Sequence, residues 1–300
     1  MLKTTRFMNL ECVELANTAV SLLITQSVGP RILKLALSGG ENLFAELPDV
    51  ALNCPGKGLL HLHGGHRLWH APEKAARTYL PDDAPVAVSA IENGVRVVQP
   101  VEAETGIQKS LTITLPDAGA TVIVNHTLAN TSMWAVECAP WAITQMRAGG
   151  TAVLPQNTLP IDVDGLLPNR PLSLWPYTDI NSPHIELHND HITIHANMTE
   201  GSLKIGFPNP RGWLTYWYQG TAFVKTAEFN PAATYYDFGS SSECYCNDKF
   251  LELETLGPRT FIAPGSAVTH REVWHLFDQV AFDTTDMLVK QIEERLTTIS

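Results

Sequence analysis

Leu111-Thr112-Ile113-Thr114-Leu115 alternates apolar and polar residues without a break, and Pro116-Asp117-Ala118-Gly119 ends the run. The next residues, Thr121 to Leu128, put Val122, Val124, His126 and Leu128 on one face. Successive side chains of a strand point to opposite faces, so period two on both sides of a Pro/Asp/Gly turn predicts an antiparallel hairpin. The same signature recurs at 20–25, 31–37, 95–100, 202–207, 213–218, 250–255 and 267–276, with few helical stretches between. His191-Ile192-Thr193-Ile194-His195 reads as a half-exposed strand. So many strands at this spacing predict an all-β fold, a large sandwich or barrel. One helix is expected, at the C-terminus, where Leu288, Ile292 and Leu296 form a stripe behind Asp283 or Thr284 as cap.

Length and composition narrow the function. Three hundred residues, 44% hydrophobic and 17% charged, describe an ordinary soluble globular protein able to bury a full core. There is no internal repeat or disordered linker, so a single domain over 1–300 is expected. The proline-rich stretch from Pro155 to Pro183, with Trp175-Pro176-Tyr177, reads as an ordered excursion between strands, the place where a sandwich carries binding loops. A net charge of −11 argues against nucleic acid and suits a neutral small molecule. No apolar run is long enough for a transmembrane helix, so no membrane partner is expected. The start lacks a secretory h-region, and the five cysteines are odd in number and scattered. A reducing cytoplasm is the expected setting, with Cys244 and Cys246 expected as buried apolar residues. Composition leaves the oligomeric state open.

Two segments carry the chemistry. The first is His61-Leu62-His63-Gly64-Gly65-His66-Arg67-Leu68-Trp69-His70. Imidazole and guanidinium hydrogen-bond polyol oxygens, tryptophan offers a face to a sugar ring, and paired glycines let a backbone approach a ligand. The competing reading is a buried polar turn that joins two sheets. In the second, Leu251-Glu252-Leu253-Glu254-Thr255, a strand puts Glu252 and Glu254 on one face and Leu251, Leu253 and Thr255 on the other. Adjacent carboxylates repel, which raises one pKa and suits a general base or a metal ligand. His184, His188, His191 and His195 lack the spacing of a helical metal motif, and there is no phosphate loop or nucleophile elbow.

These segments resemble a known family. Leu62-His63-Gly64-Gly65 is similar to the LHGG segment of galactose mutarotases and aldose epimerases, and Leu253-Glu254-Thr255 to the segment of their late catalytic glutamate. Gly64-Gly65-His66-Arg67-Leu68-Trp69, the run from Phe250 to Pro258, and Pro264-Gly265-Ser266 leading to Arg271-Glu272-Val273-Trp274 resemble the uncharacterised bacterial DUF4380 family of that superfamily. The resemblance implies a super-sandwich of two large antiparallel sheets with a carbohydrate cleft. It implies Glu254 as catalytic base and His63 as a sugar-positioning residue, with no cofactor. The family's acid histidine has no counterpart, because Ala139 to Met146 contains no histidine. His66 is then the candidate acid, provided it faces the cleft. Arg67, Trp69, Trp141, Gln145 and Glu252 complete the expected substrate-binding set.

The expected ligand is a small-molecule carbohydrate. The function expected is either aldose 1-epimerisation by general acid–base chemistry or non-catalytic sugar binding with Trp69 and Trp141 as stacking platforms. A third reading is a zinc-dependent sugar-modifying site built from His63, His66 and Glu254. If the cleft is real, His63, Arg67 and Glu254 converge on it.

Overall fold

The computed structural model describes residues 2–299. Two antiparallel sheets, of twelve and ten strands, stack face to face. The centre of the larger sheet runs Arg31–Leu37, Gly58–Ala71, Val136–Arg147, Phe250–Leu256, Ser242–Asn247 and Ser202–Phe207, hydrogen-bonded in that order. The smaller sheet is centred on Trp213–Tyr218, Thr221–Ala227, Ala267–Phe277, Thr121–Asn130 and Ile107–Thr114. The expected hairpin is there, with Ile123 opposite Thr114 and Asn130 opposite Ile107. Val122, Val124, His126 and Leu128 all face the interior, fully buried.

The core lies between the sheets, where alternate residues of each strand meet. Leu251, Leu253, Cys244, Cys246, Leu203 and Ile205 project into it from the larger sheet. They meet Leu111, Val124, Phe223 and Trp274 from the smaller one. All five cysteines are free and buried. His191–His195 departs from expectation. Two of its three polar positions, His191 and Thr193, are fully buried, and only His195 is partly exposed. The C-terminal helix, Thr285–Ile299, covers the outer side of that sheet with Leu288, Val289 and Ile292 packed on Val153, Trp213 and Val224. The Met287 amide donates to Thr284 Oγ1 at its start. No helix among the described residues is long and apolar enough to cross a membrane.

The histidine-glycine segment is not a turn. It lies within one fourteen-residue strand, Gly58–Ala71, that contains three consecutive left-handed residues, His63 (φ 55°), Gly64 (φ 86°) and Gly65 (φ 72°). At that point the strand changes partners. Residues 58–64 pair with Glu46–Cys54, and residues from Gly65 onward pair with Val136–Arg147. The glycines serve a close approach of backbone to backbone, not of backbone to ligand. A Cβ on Gly64 would sit 1.9 Å from the Ala45 carbonyl oxygen, and one on Gly65 2.2 Å from that of Ile32. Gly119, also left-handed, has nothing within 4 Å of its notional Cβ.

The contrast gives a direct expectation. Gly64→Ala and Gly65→Ala each combine a backbone clash with a strained φ and cost more than about 3 kcal/mol, whereas Gly119→Ala carries the φ term alone, about 1 kcal/mol. Urea unfolding of the three variants measures the difference.

Candidate functional site

The partner switch sets which residues of Gly58–Ala71 face outward. Leu62 before the kink and Arg67 and Trp69 after it lie on the face turned away from the second sheet, although Leu62 and Arg67 are an odd five positions apart. Period two across neighbouring strands then lays out a grid on that face. In register, one row runs Gly65, Gln145, Glu252, Tyr245 and Lys204. The row beside it runs Arg67, Ile143, Glu254 and Glu243, and a third pairs Trp69 with Trp141 and Leu256. A cavity of about 420 Å³ opens over this grid. Arg67, Glu252 and Lys204 line it together with Trp69, Tyr79 and Trp141. Trp175 and Tyr177, delivered by the proline-rich excursion, also line it, as do Val50 and Leu52 from Glu46–Cys54.

The charges of the floor are tightly held. Glu243 and Glu254, both fully buried, face each other across adjacent strands, a pairing that repels. Lys204 Nζ lies between them, 2.7 Å from Glu243 Oε2 and 2.9 Å from Glu254 Oε2. Its ammonium also sits over the rings of Trp141 and Trp175, 4.6 and 4.7 Å from their centroids. Burial pulls the Lys204 pKa down, but the two carboxylates outweigh it and hold it well above the ordinary lysine value. Burial, with Glu254 beside it, pushes the Glu243 carboxyl well up, and Lys204 offsets only part of this. The Trp141 indole donates to Glu254 Oε2 at 2.6 Å.

Glu252 differs from its neighbour because it reaches the cavity. Its Oε1 accepts from Gln145 Nε2 at 2.9 Å and from Arg67 Nη2 at 3.3 Å. Burial and then the charge of Glu254 raise its carboxyl to about 7, against Arg67 and Lys204. Arg67 in turn falls to about 10 through burial, opposed by Glu252. Its guanidinium lies over Trp69, 4.0 Å from the ring centroid, and its Nε and Nη1 have no protein acceptor.

Of the residues predicted from sequence, Arg67, Trp69, Trp141 and Glu252 line the cavity. Gln145 supports Glu252 from behind, and Glu254 lies beneath the floor, bonded to Trp141 and Lys204. His63 is not among the lining residues. Its ring faces His61, at 5.6 Å between centroids, and Asp83 Oδ1, 3.8 Å from Nε2. The convergence of His63, Arg67 and Glu254 on one cavity is therefore met only by Arg67 directly.

His66 is corrected outright. It falls one position out of phase with Arg67 and faces the space between the sheets, fully buried. Its Nε2 is 2.6 Å from His126 Nε2 and its Nδ1 2.9 Å from Thr144 Oγ1. His126 Nδ1 donates to the His270 carbonyl, so His66 Nε2–H donates to His126 and the Thr144 hydroxyl donates to His66. Both ring nitrogens are thus occupied, and burial followed by His126 holds the His66 pKa well below that of a free histidine. It cannot pass a proton to the cleft. The zinc set of His63, His66 and Glu254 fails on the same ground, since His66 and Glu254 project from opposite faces of the sheet. The residue that sequence reasoning missed is Lys204. Its signal was a lone lysine in the strand Ser202–Phe207, on the face opposite Leu203 and Ile205.

With this geometry in view, comparison with solved structures is informative. A galactose mutarotase-like protein from Lactobacillus casei superposes with a TM-score of 0.56 at 12% identity, over 89% of this chain and 100% of that one. A galactose mutarotase related enzyme from Lactobacillus acidophilus gives 0.55 at 8% identity, over 89% and 98%. A TPR-domain containing protein from Parabacteroides distasonis gives 0.61 at 12% identity over 92% of this chain, which spans only 49% of that protein's length. No family model and no curated relative matches the sequence. These likenesses show the fold, a galactose mutarotase-like super-sandwich.

Two expectations follow. Lys204→Met leaves Glu243 and Glu254 buried without a counter-charge and costs about 3–5 kcal/mol in urea unfolding. The loss is larger at pH 8 than at pH 5, because the Glu243 carboxyl, raised in the folded state by burial, destabilises increasingly as pH rises above its unfolded value. For Glu252 the same sign holds. Its raised pKa lowers stability by up to about 3 kcal/mol between the unfolded carboxylate value and about pH 7, and the penalty is level above that. The stability difference between wild type and Glu252→Gln therefore changes across pH 4.5–7 and is flat from pH 7.5 to 9.

Proposed function

We propose that the chain, as one sandwich domain, binds a carbohydrate of monosaccharide size in the cleft on the outer face of the larger sheet. The observation that carries this reading is the cavity's pairing of a charged floor with aromatic walls. Arg67 and Lys204 donate and Glu252 accepts within one floor, while Trp175 and Tyr177 stand above it. Sugar hydroxyls donate and accept at neighbouring atoms, and C–H faces of a sugar ring pack on aromatic rings. A volume of about 420 Å³ fits a small ligand. The galactose mutarotase names of the Lactobacillus neighbours support the ligand class. Five unpaired cysteines support a reducing, cytoplasmic setting.

One observation favours a second reading, aldose 1-epimerisation. Glu252 is a cavity-lining carboxyl with a pKa of about 7, so it is half-protonated near neutral pH. In its ionised form it takes the proton of the anomeric hydroxyl, and in its protonated form it supplies one to the ring oxygen. The C1–ring-oxygen bond opens to the aldehyde, the C1–C2 bond rotates, and ring closure on the other carbonyl face gives the second anomer. Glu252 takes the role that motif resemblance gives to Glu254, whose Oε2 is committed to Trp141 and Lys204.

Saturation-transfer NMR against a panel of aldoses, with anomeric exchange followed in the same tubes, tests both readings. Saturation transfer is expected for wild type and Glu252→Gln alike. Exchange accelerated by wild type and slowed about 10²–10⁴-fold in Glu252→Gln supports epimerisation. Binding without acceleration removes the epimerase and keeps recognition, and absence of transfer to every aldose removes both.

A further inference from the structure

A second polar cluster lies on the smaller sheet, whereas the floor of the cleft belongs to the larger one. Ile185–Leu187 and His191–His195 form a hairpin at its edge, closed by Asn189 and Asp190. The His188 amide donates to the His191 carbonyl at 3.0 Å, so the two histidines flank the turn as a facing pair. Their imidazoles stack with centroids 4.2 Å apart and planes inclined by 11°. The C-terminal helix brings Asp286, in its first turn, against them, with Oδ1 4.0 Å from His191 Nε2. One ligand atom from each of His188, His191 and Asp286 lies within 4.8 Å of the other two.

Two observations point to a cation site. The His191 side chain is fully buried, and its Nδ1 lies 2.8 Å from Asp190 Oδ1. Nδ1 is therefore the protonated nitrogen, and Nε2 carries a bare lone pair. That Nε2 has no hydrogen-bond partner, and the Nε2 of His188 has only the Glu186 carboxylate, 3.4 Å away, beside it. A buried acceptor without a donor is costly, whereas a metal ion uses this lone pair. The Asp190–His191 bond is also the carboxylate–imidazole pairing that fixes tautomer and ring orientation at metal centres. Charge balance permits a cation here. Glu186 Oε2 lies 3.4 Å from His188 Nε2, and Arg211, which donates to the Asp190 carbonyl, is itself paired with Glu293.

We propose that His188, His191 and Asp286 bind a divalent transition-metal ion, zinc in preference, which ties the C-terminal helix to the edge hairpin. Two imidazoles and a carboxylate supply three of four tetrahedral positions, with water or Glu186 for the fourth. Calcium and magnesium, which demand oxygen ligands, do not suit this set. Ligand atoms around tetrahedral zinc sit about 3.3 Å apart. Asp286, with a side chain 76% exposed, closes the 4.0 Å gap by rotation, and His188, 32% exposed, must turn out of its parallel stack on the fixed His191 ring for both in-plane lone pairs to meet one ion.

Zinc chloride titrated calorimetrically into chelator-treated full-length protein tests the site, with cobalt(II) absorption reporting geometry. The expected result is one bound equivalent, tetrahedral cobalt bands, and a Tm raised by zinc in wild type but not in Asp286→Asn. Asp286→Asn and His188→Ala change exposed or half-buried positions and leave the fold intact by circular dichroism. Each weakens zinc by more than the about 10–100-fold that loss of an outer-shell partner costs. Substoichiometric binding by wild type, or binding that both variants retain, overturns the proposal.

Discussion

Two carboxylates directly opposed on neighbouring strands, both without solvent, are the constraint around which the outer face of the larger sheet is organised. Glu243 and Glu254 occupy these positions, and only Lys204 makes them compatible with a folded sheet. Lys204 must then be desolvated itself, and Trp141 and Trp175 do this from either side. Trp175 approaches so closely because residue 206, which pairs with Ser173 across the sheet, is glycine. A Cβ there would meet Ser240 Oγ at 2.6 Å and the Trp175 ring at 3.2 Å. The aromatic wall of the cleft thus follows from the need to bury an ammonium between two acids. Glu252, two residues from Glu254 along the strand, has its carboxyl raised by burial and then by the Glu254 charge.

The opposite face of the same strands carries a separate polar system. Lys225 Nζ, fully buried, lies 2.7 Å from Glu272 Oε1 and donates to Thr144 Oγ1 and the Leu253 carbonyl. From Thr144 the chain of hydrogen bonds continues through His66 and His126 to the His270 carbonyl. Burial opposes ionisation of Glu272, but Lys225 and the three histidines beside it hold its carboxyl well below the usual range. Burial drives His270 down to about 3. A network with every member partnered specifies one alignment of the two sheets, where an apolar interface would tolerate sliding. It takes up His66, His126 and His270, and no histidine is among the residues lining the cleft.

Much of this architecture was legible in the chain. Alternation located the Leu111–Leu115 and Thr121–Leu128 hairpin, the placement of Glu252 and Glu254 on a common face, and the stripe of the C-terminal helix. Phase within Gly58–Ala71 was not legible, because three left-handed residues in mid-strand shift the alternation between Leu62 and Arg67. Read without that shift, His66 belongs to the cleft; with it, Arg67 does. Lys204 was invisible for a different reason. An isolated lysine on a strand normally marks solvent, and only the register of Ser202–Phe207 against Ser242–Asn247 shows two acids waiting for it. The half-exposed reading of His191–His195 failed at His191, against which the C-terminal helix brings Asp286, a relation that is not local in sequence.

The exchange of partners at His63 to Gly65 also has a consequence for how such a cleft can diversify. Residues 58–64 leave the main sheet with Glu46–Cys54 as a two-stranded arm, and Val50, Leu52 and Leu62 of that arm wall one side of the cavity. Wall and floor are therefore covalently continuous but mechanically distinct modules, joined at a glycine hinge that admits no side chain. Lengthening or trimming the arm at its Cys54–Gly58 turn changes the depth and width of the cavity while every charged group of the floor keeps its register. Ligand size and ligand chemistry are encoded in separate parts of the chain, and drift in one leaves the other untouched.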